Sequence, residues 1–319
     1  MKLLHRLVPW LLALLFAFTG PARAQYTLCP PAAKPPTEEQ QATGLREARD
    51  RGMLWRATKD GRTSWLYGTI HVGRLAWAFP GPTVRDALGR SDTLALELDP
   101  QDPAVMVKMQ RYMARDPKLT LTPALDRRLR AQLQKACMPP ALADQMAPEM
   151  LGATLTVTAV RREGFDALYG IDFSLGQAAR ALGKPVQSLE TVETQLGELI
   201  SDNEDDLRAN MAQMLDDLEQ GNVIPQMLRL ARAWEAGRDE ELANYTEWCR
   251  CVETPREKAR LRRLIEGRNA GLADGIDRLH AGGQSVFAAV GGLHLVGPEG
   301  LPALMARRGY TVTREPLPR

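Results

Sequence analysis

The chain between residues 50 and 100 has the hydrophobic pattern of strands separated by turns. Two apolar runs, 53–58 and 64–70, flank the segment Lys59-Asp60-Gly61-Arg62. An Asp-Gly pair between two such runs is typical of a tight turn between antiparallel strands. The sequence therefore predicts a β-hairpin at the start of this region.

A helix and a further strand are predicted directly after this hairpin. Pro82 to Arg90 has the pattern of a short helix, and Asp92 to Asp99 has that of a strand. A strand, a helix and a second strand in this order indicate βαβ connectivity, in which the strands of the sheet run parallel.

The rest of the chain alternates between helical stretches and short strands. Residues 102–163 and 191–281 place apolar positions three and four apart, which is typical of helices. The remaining predicted elements are a helix over Asp172 to Leu182, strands over Val186 to Leu189 and Val286 to Val290, a helix over Leu301 to Arg308, and a strand over Tyr310 to Glu315.

These elements predict an α/β fold with a central mixed sheet. Its strands come from three sequence blocks, roughly 50–100, 165–190 and 284–317. Two helical insertions, at about 102–165 and 191–281, are expected to form a cap. We expect residues 50–319 to fold as a single domain.

The first residues have the pattern of a secretory signal peptide. Basic Lys2 and Arg6 precede an apolar stretch, and Ala22-Arg23-Ala24 supplies a small-residue cleavage site. The stretch is short for a transmembrane helix, which needs about 20 residues; an uncleaved anchor is the alternative. We expect residues 1–24 to be removed, residues 25–49 to form an exposed lead-in, and the protein to be periplasmic or secreted, without stable membrane insertion.

The charge balance narrows the range of partners. The 319 residues include 41 Lys and Arg and 39 Asp and Glu, a formal charge of +2. Cleavage of the signal peptide removes three basic residues and leaves a formal charge of −1. A chain this balanced does not favour nucleic acid as a partner. The sequence does not indicate an oligomeric state.

All four cysteines follow the predicted cleavage site: Cys29, Cys137, Cys249 and Cys251. An even number of cysteines in an oxidising compartment favours disulfides. The pairing stays open, although one intervening residue is too few to favour a bond within Cys249-x-Cys251. We expect each of these two to bond a distant partner. A zinc site is a weaker alternative, because the spacing is not C-x-x-C and no histidine is near.

Two of the four histidines occur in the same local pattern. Gly68-Thr69-Ile70-His71 and Gly291-Gly292-Leu293-His294 each follow a predicted strand. Ligands of open α/β sheets bind beyond the carboxyl ends of strands, and glycine allows the backbone to approach a ligand closely. The pattern favours a site at His71 and His294; two turn histidines bound by the backbone are the alternative.

Carboxylates at strand ends add to this pattern. Glu97 lies near the end of strand 92–99, where a buried carboxylate costs several kcal/mol unless it binds a metal or a partner such as arginine. If strands 64–70 and 92–99 are parallel neighbours, Glu97 lies near His71. Glu190 follows strand 186–189, but it also suits the first turn of the next helix.

The other candidate polar residues have simpler interpretations. Asp172 begins a predicted helix and suits an N-cap. Arg268 and Asn269 lie in a charged helical segment, which on pattern alone predicts exposure to solvent. Two histidines with one or more carboxylates suit Mn²⁺, Co²⁺ or Zn²⁺, which can lower the pKa of bound water. The sequence has no H-E-x-x-H, G-x-S-x-G or Walker motif.

Three stretches resemble the TraB/GumN family, which includes the Tiki proteins of animals: Leu66–Gly73 (LYGTIHVG), Leu94–Pro100 (LALELDP) and Ala288–Gly300 (AAVGGLHLVGPEG). Gly170-Ile171-Asp172, Lys184–Thr191 and Arg268-Asn269 also fit, so that the resemblance covers about residues 50 to 317.

The resemblance implies a metal-dependent, protease-like site, as in the Tiki branch. It implies His71, Glu97 and His294 as the metal ligands. The same comparison implies supporting or catalytic roles for four further residues: Asp172, Glu190, Arg268 and Asn269.

We therefore expect a periplasmic or secreted metal-dependent hydrolase that acts on a peptide or protein substrate. Glu190 is expected to be the general base, and Arg268 is expected to stabilise developing charge. Two other functions stay open. One is a non-catalytic periplasmic protein that binds a metal, haem or a peptide, and the other is an accessory factor in envelope polysaccharide export, which the GumN name alone suggests.

Overall fold

The computed structural model describes residues 29–318. The predicted signal peptide, residues 1–24, lies outside the described residues. Within residues 29–318, no helix is both long enough and apolar enough to cross a membrane.

A six-stranded mixed sheet forms the centre of the described chain. Its strands are β1 (Met53–Lys59), β2 (Arg62–Thr69), β3 (Thr93–Leu96), β4 (Val186–Ser188), β5 (Val286–Gly291) and β6 (Thr311–Glu315). They lie in the order β4-β3-β5-β2-β1-β6. β1 is antiparallel to β2 and β6, whereas β2, β5, β3 and β4 run parallel. The expected α/β fold with strands from three sequence blocks is confirmed.

The hairpin between β1 and β2 forms as predicted. Its two loop residues, Asp60 and Gly61, have φ angles of 52° and 72°. Two successive positive φ angles match the tight turns that fit the twist of antiparallel strands, and Asp-Gly is a preferred pair there.

The structure corrects the predicted neighbourhood of β3. β5 lies between β2 and β3, so that the strands near residues 64–70 and 92–99 are not adjacent. Val286 to Val290 are fully buried, as expected of a central parallel strand covered on both faces. β3 also ends at Leu96 rather than at Asp99, which places Glu97 just beyond the strand.

Helices fill the connections between the strands. They are α1 (Glu38–Arg46), α2 (Pro82–Arg90), α3 (Pro103–Met113), α4 (Pro123–Lys135), α5 (Pro148–Ala159), α6 (Ile171–Ala181), α7 (Val192–Leu199), α8 (Glu204–Glu219), α9 (Val223–Glu235), α10 (Asp239–Ala243), α11 (Tyr245–Trp248), α12 (Pro255–Leu264), α13 (Glu266–Ala281) and α14 (Leu301–Arg307). Within the predicted helical stretch 102–163, a 3-10 turn over Pro140–Asp144 precedes α5, which begins at Pro148.

The apolar side chains form a main core and a smaller second core. The main core covers the sheet and includes β5 and Trp234 of α9. The second core lies among α4, α5 and α8 and includes Leu129, Leu151 and Leu215. The second helical insertion therefore contributes to both cores, since its α9 packs on the sheet while its α8 packs on α4 and α5 of the first insertion.

The disulfides differ from expectation in one pair. Cys29 bonds Cys137, which is a distant partner, but Cys249 bonds Cys251. Cys249 has an extended backbone and a 3-10 turn over Arg250–Val252 follows it. This local turn brings the two Cα atoms to 5.1 Å, within the range that a disulfide requires.

The two disulfides should contribute unequally to stability. Cys29–Cys137 spans 108 positions and Cys249–Cys251 spans 2. Loop-closure entropy predicts that replacing both members of the first pair by serine lowers the free energy of unfolding by about 4 to 5 kcal/mol, against about 1 to 2 kcal/mol for the second pair. Urea unfolding of the two double variants measures both losses. Equal losses, or a larger loss for the second pair, would contradict this account.

Candidate functional site

The two G-x-x-H segments leave the sheet side by side. β2 and β5 run parallel, with Thr69 paired to Gly291. A Cβ atom added at Gly68 would lie 3.2 Å from Gly292 Cα, which is tighter than ordinary contact. Glycine in both motifs thus allows the two turns to pack closely, and both histidines follow these turns.

His71 is held through one ring nitrogen. Its Nδ1 lies 2.8 Å from Asp172 Oδ2, and the Thr69 hydroxyl donates to Asp172 Oδ1. The Asp172 carboxylate raises the pKa of His71 to about 9 against the opposing effect of desolvation. The His71 side chain is nevertheless 69% exposed. Its second ring nitrogen, Nε2, takes no part in the contact with Asp172.

Asp172 is not the N-cap of its helix. Gly170 occupies the cap position of α6, and Asp172 is the second helical residue. Its carboxylate accepts hydrogen bonds from side chains of the β2 segment instead. The N-cap interpretation is therefore wrong, and Asp172 orients His71.

His294 is held in the same way by a different residue. Its Nδ1 lies 2.6 Å from Asn269 Oδ1, while Asn269 Nδ2 donates to the Glu299 carbonyl at 2.7 Å. Because a carbonyl accepts only, the amide oxygen faces the ring, and Nδ1 must carry the proton. Burial lowers the pKa of His294 to about 4, so that the ring is neutral at pH 7 and Nε2 carries a lone pair.

Glu97 lies between the two strand ends. Its Oε1 accepts the Gly291 N–H at 2.7 Å and lies 3.8 Å from His294 Nε2. Its Oε2 accepts from Gln195 and from Arg268. Burial raises the pKa of Glu97, but the adjacent imidazoles, the guanidinium and the Gly291 N–H outweigh burial and lower the pKa to about 2. Glu97 thus has an arginine partner and also faces a histidine.

Arg268 is buried between two carboxylates. Its Nε and Nη2 donate to Glu190 at 2.8 and 2.6 Å, and Nη2 also donates to Glu97. The side chains of Arg268 and Glu190 are only 6% and 3% exposed. The solvent exposure expected for Arg268 is therefore wrong, because acidic partners from two distant segments compensate its burial.

Glu190 pairs with Arg268 and does not lie in the first turn of α7. Thr191 occupies the N-cap position of α7, and Glu190 precedes it. Burial raises the pKa of Glu190, while Arg268 lowers it in opposition. Both carboxylate oxygens accept from the Arg268 guanidinium.

A cavity of about 260 Å³ collects four of these side chains, namely His71, Glu97, Arg268 and His294. Asp172, Asn269 and Glu190 do not line it. Each instead holds a residue that does: Asp172 holds His71, Asn269 holds His294 and Glu190 holds Arg268. The candidate residues thus divide into cavity-lining side chains and the side chains that position them.

Sequence reasoning missed several residues at this cavity. Gln195 of α7 donates to Glu97, and an apolar wall includes Leu230 and Trp234 of α9. Leu230 and Trp234 are four positions apart and therefore share one helix face. That spacing also marks an ordinary core helix, so the pattern carried no signal for a site.

The candidate ligands His71, Glu97 and His294 are of the types that bind cations, but the three do not lie close enough together to form a complete metal site. In residues 29–318, no three His, Cys, Asp or Glu side chains lie close enough to hold a metal ion. His294 Nε2 and Glu97 Oε1 do fit as a pair, since two ligands about 2.1 Å from one Zn²⁺ lie at most about 4.2 Å apart. Their separation is 3.8 Å. His71 lines the same cavity.

Comparison with known proteins gives one match. A family model described as the TraB/PrgY/gumN family matches residues 53–314. This span runs from the first residue of β1 into β6 and contains every cavity-lining residue named above. No curated protein and no solved structure matches the chain.

Replacement of Arg268 should lower the free energy of unfolding, because two buried carboxylates would lose their positive partner. We expect Arg268→Met to lower the free energy of unfolding by about 3 to 5 kcal/mol, because Glu97 and Glu190 lose their buried partner. Arg308→Met is the control, since Arg308 pairs with the exposed Asp274 and should cost less than about 1 kcal/mol. Urea unfolding at pH 7 compares them, and similar losses would refute the assigned role of Arg268.

Proposed function

The chain belongs to the TraB/PrgY/gumN family, and we propose that it is a periplasmic or secreted metal-dependent hydrolase with a peptidase-like site. The observation that carries the proposal is how the two G-x-x-H histidines are held. Each is bound through Nδ1 by an oxygen acceptor, from Asp172 or from Asn269. Nε2 of the neutral His294 ring is thus free to bind a cation, whereas His71, whose pKa is raised to about 9, must release its Nε2 proton when a cation binds. Metal-binding histidines are usually oriented through the other ring nitrogen in this way.

His71, Glu97 and His294 would hold the ion, and Mn²⁺, Co²⁺ or Zn²⁺ accept such ligands. The ion would supply a bound water of lowered pKa and polarise a substrate carbonyl. Two carboxylates, Glu97 and Glu190, surround the single guanidinium of Arg268, which favours a cation over an anion at this place.

Arg268 is the residue best placed to bind a substrate oxygen. A guanidinium has five N–H donors, and four contacts engage the Arg268 donors: two with Glu190, one with Glu97 and one with the Leu264 carbonyl. One donor on Nη1 is left over, and Arg268 lines the cavity. It can hydrogen-bond a peptide carbonyl or stabilise an oxyanion.

Glu190 fits a positioning role better than the general-base role that we expected. Its two carboxylate oxygens are engaged by Arg268, and it does not line the cavity. Removal of a proton from a substrate or a water requires hydrogen-bond reach to that group. We therefore assign Glu190 to the orientation of Arg268.

A second candidate is a protein that binds a metal or a peptide without reaction. It is favoured by Glu97, whose oxygens already accept from Gly291, Gln195 and Arg268. A haem is a poor fit, because the cavity of about 260 Å³ is smaller than the range of about 300 to 1,000 Å³ that is typical for drug-sized ligands. The polysaccharide-export role rests on the family name alone.

Metal content tests the proposed ligands. We expect protein purified from the periplasm without chelator to carry a divalent metal, and His71→Ala and His294→Ala each to lose it. His280→Gln is the matched control, because His280 bonds Ser64 and the Lys59 carbonyl and does not line the cavity. Elemental analysis measures the metal, and circular dichroism verifies that each variant is folded.

The outcomes separate the two candidates. Metal loss in both site variants, together with cleavage of a fluorogenic peptide library in Mn²⁺ or Co²⁺, is the expected result. Metal loss without any cleavage favours the binding protein. Unchanged metal content in both folded variants would end the metal-dependent proposal.

A change at Asp172 tests the way His71 is held. We expect Asp172→Asn to weaken metal affinity by about 10- to 100-fold, because the amide is a weaker acceptor for the His71 Nδ1–H than the carboxylate is. Asp277→Asn is the control, since Asp277 pairs with Lys59 and Tyr310 outside the cavity. Competition with a fluorescent chelator measures both affinities. Equal affinity in Asp172→Asn and the parent protein would contradict the positioning role.

A further inference from the structure

Polar and apolar side chains both line the cavity. The histidines, Glu97 and Arg268 are the polar lining, which we call the polar end. The apolar lining, which we call the wall, is made by Leu199, Leu230, Trp234, Leu242, Leu264, Ile265 and Leu293. The polar end comes mainly from the strand ends, whereas most of the wall comes from the second helical insertion.

The wall is firmly attached to the first G-x-x-H motif. The Trp234 indole N–H donates to the Gly68 carbonyl at 2.7 Å, and Trp234 is almost fully buried. Gly292 of the second motif lies against the same ring, since a Cβ there would be 3.3 Å from Trp234 Cδ1. The wall is therefore fixed relative to the histidines that follow both glycines.

Several wall residues keep apolar surface uncovered. Leu230, Leu264 and Leu293 line the cavity and are only partly buried, and Leu230 and Leu293 also pack against the main core. Covering such surface with an apolar group is favourable in proportion to the area removed from water. The wall therefore has the chemistry of a side-chain pocket.

We propose that this wall binds one bulky apolar side chain, of leucine, methionine or phenylalanine type, in a peptide substrate whose adjacent peptide group lies at the polar end. The substrate class deepens the proposed hydrolase function and rests on it, but binding of the side chain does not require turnover. The cavity of about 260 Å³ is below the size that drug-like ligands usually occupy, as a pocket for a single side chain should be.

The charges at the polar end distinguish a peptide from a fatty acid. Glu97 lines the cavity, and its carboxylate forms a buried ion pair with the Arg268 guanidinium. A free carboxylate of a fatty acid would meet this charge, whereas a neutral peptide group would not. The remaining Arg268 donor can bind the peptide carbonyl.

Binding of small neutral amides tests the pocket. Calorimetric titration with N-acetyl-leucinamide and N-acetyl-alaninamide should show about tenfold tighter binding of the leucine compound, because it buries more apolar surface. Leu230→Gln should remove this preference. Leu228→Gln is the matched control on α9, since Leu228 is also partly buried but does not line the cavity.

Other results would overturn the pocket. The pocket proposal would be wrong if the two amides bound with equal affinity, or if Leu230→Gln and Leu228→Gln had equal effects. It would also be wrong if decanoate bound more tightly than the leucine compound. With metal added, peptide cleavage that shows no preference for an apolar residue beside the cleaved bond would overturn the pocket while leaving the hydrolase proposal intact. A leucine preference without cleavage in Mn²⁺, Co²⁺ or Zn²⁺ would support the pocket and overturn the hydrolase proposal alone.

Discussion

The parallel pairing of β2 with β5 is the constraint on which the rest of the site depends. It brings together two turns that are far apart in the chain, and Gly68 and Gly292 allow these turns to approach more closely than side chains would permit. The positions of the two histidines and of the apolar wall depend on this contact. His71 and His294 follow the two turns, and Trp234 packs against both glycines. A side chain at either glycine would separate the elements that the site needs together.

Around this contact, charge is buried only where it is compensated. Arg268 bridges Glu97 and Glu190, and each histidine is bound at Nδ1 by an oxygen that fixes the ring orientation. Buried ion pairs rarely add stability over a packed apolar core. Their retention here is better explained by the polar, oriented groups that they place in the cavity than by stability.

The parts of this fold that could be predicted from the sequence are those with local signals. Asp60-Gly61 predicts the hairpin, Pro82 begins α2, and the apolar run Val286 to Val290 predicts β5. The order of strands could not be predicted, because it depends on packing between distant segments. The G-x-x-H histidines have a local motif, whereas the burial of Arg268 depends on carboxylates that no helix pattern reveals. Pairing of Cys249 with Cys251 depends likewise on a backbone turn that the spacing alone does not indicate.

Anomalous diffraction from crystals grown with Co²⁺ would show whether His71 and His294 bind the same ion. We expect one strong peak at the carboxyl ends of β2 and β5, within about 2.2 Å of Nε2 of both His71 and His294. Such a peak would require His71 and His294 to share one ion. A cavity without a peak, or an ion bound by only one of the two rings, would contradict the account.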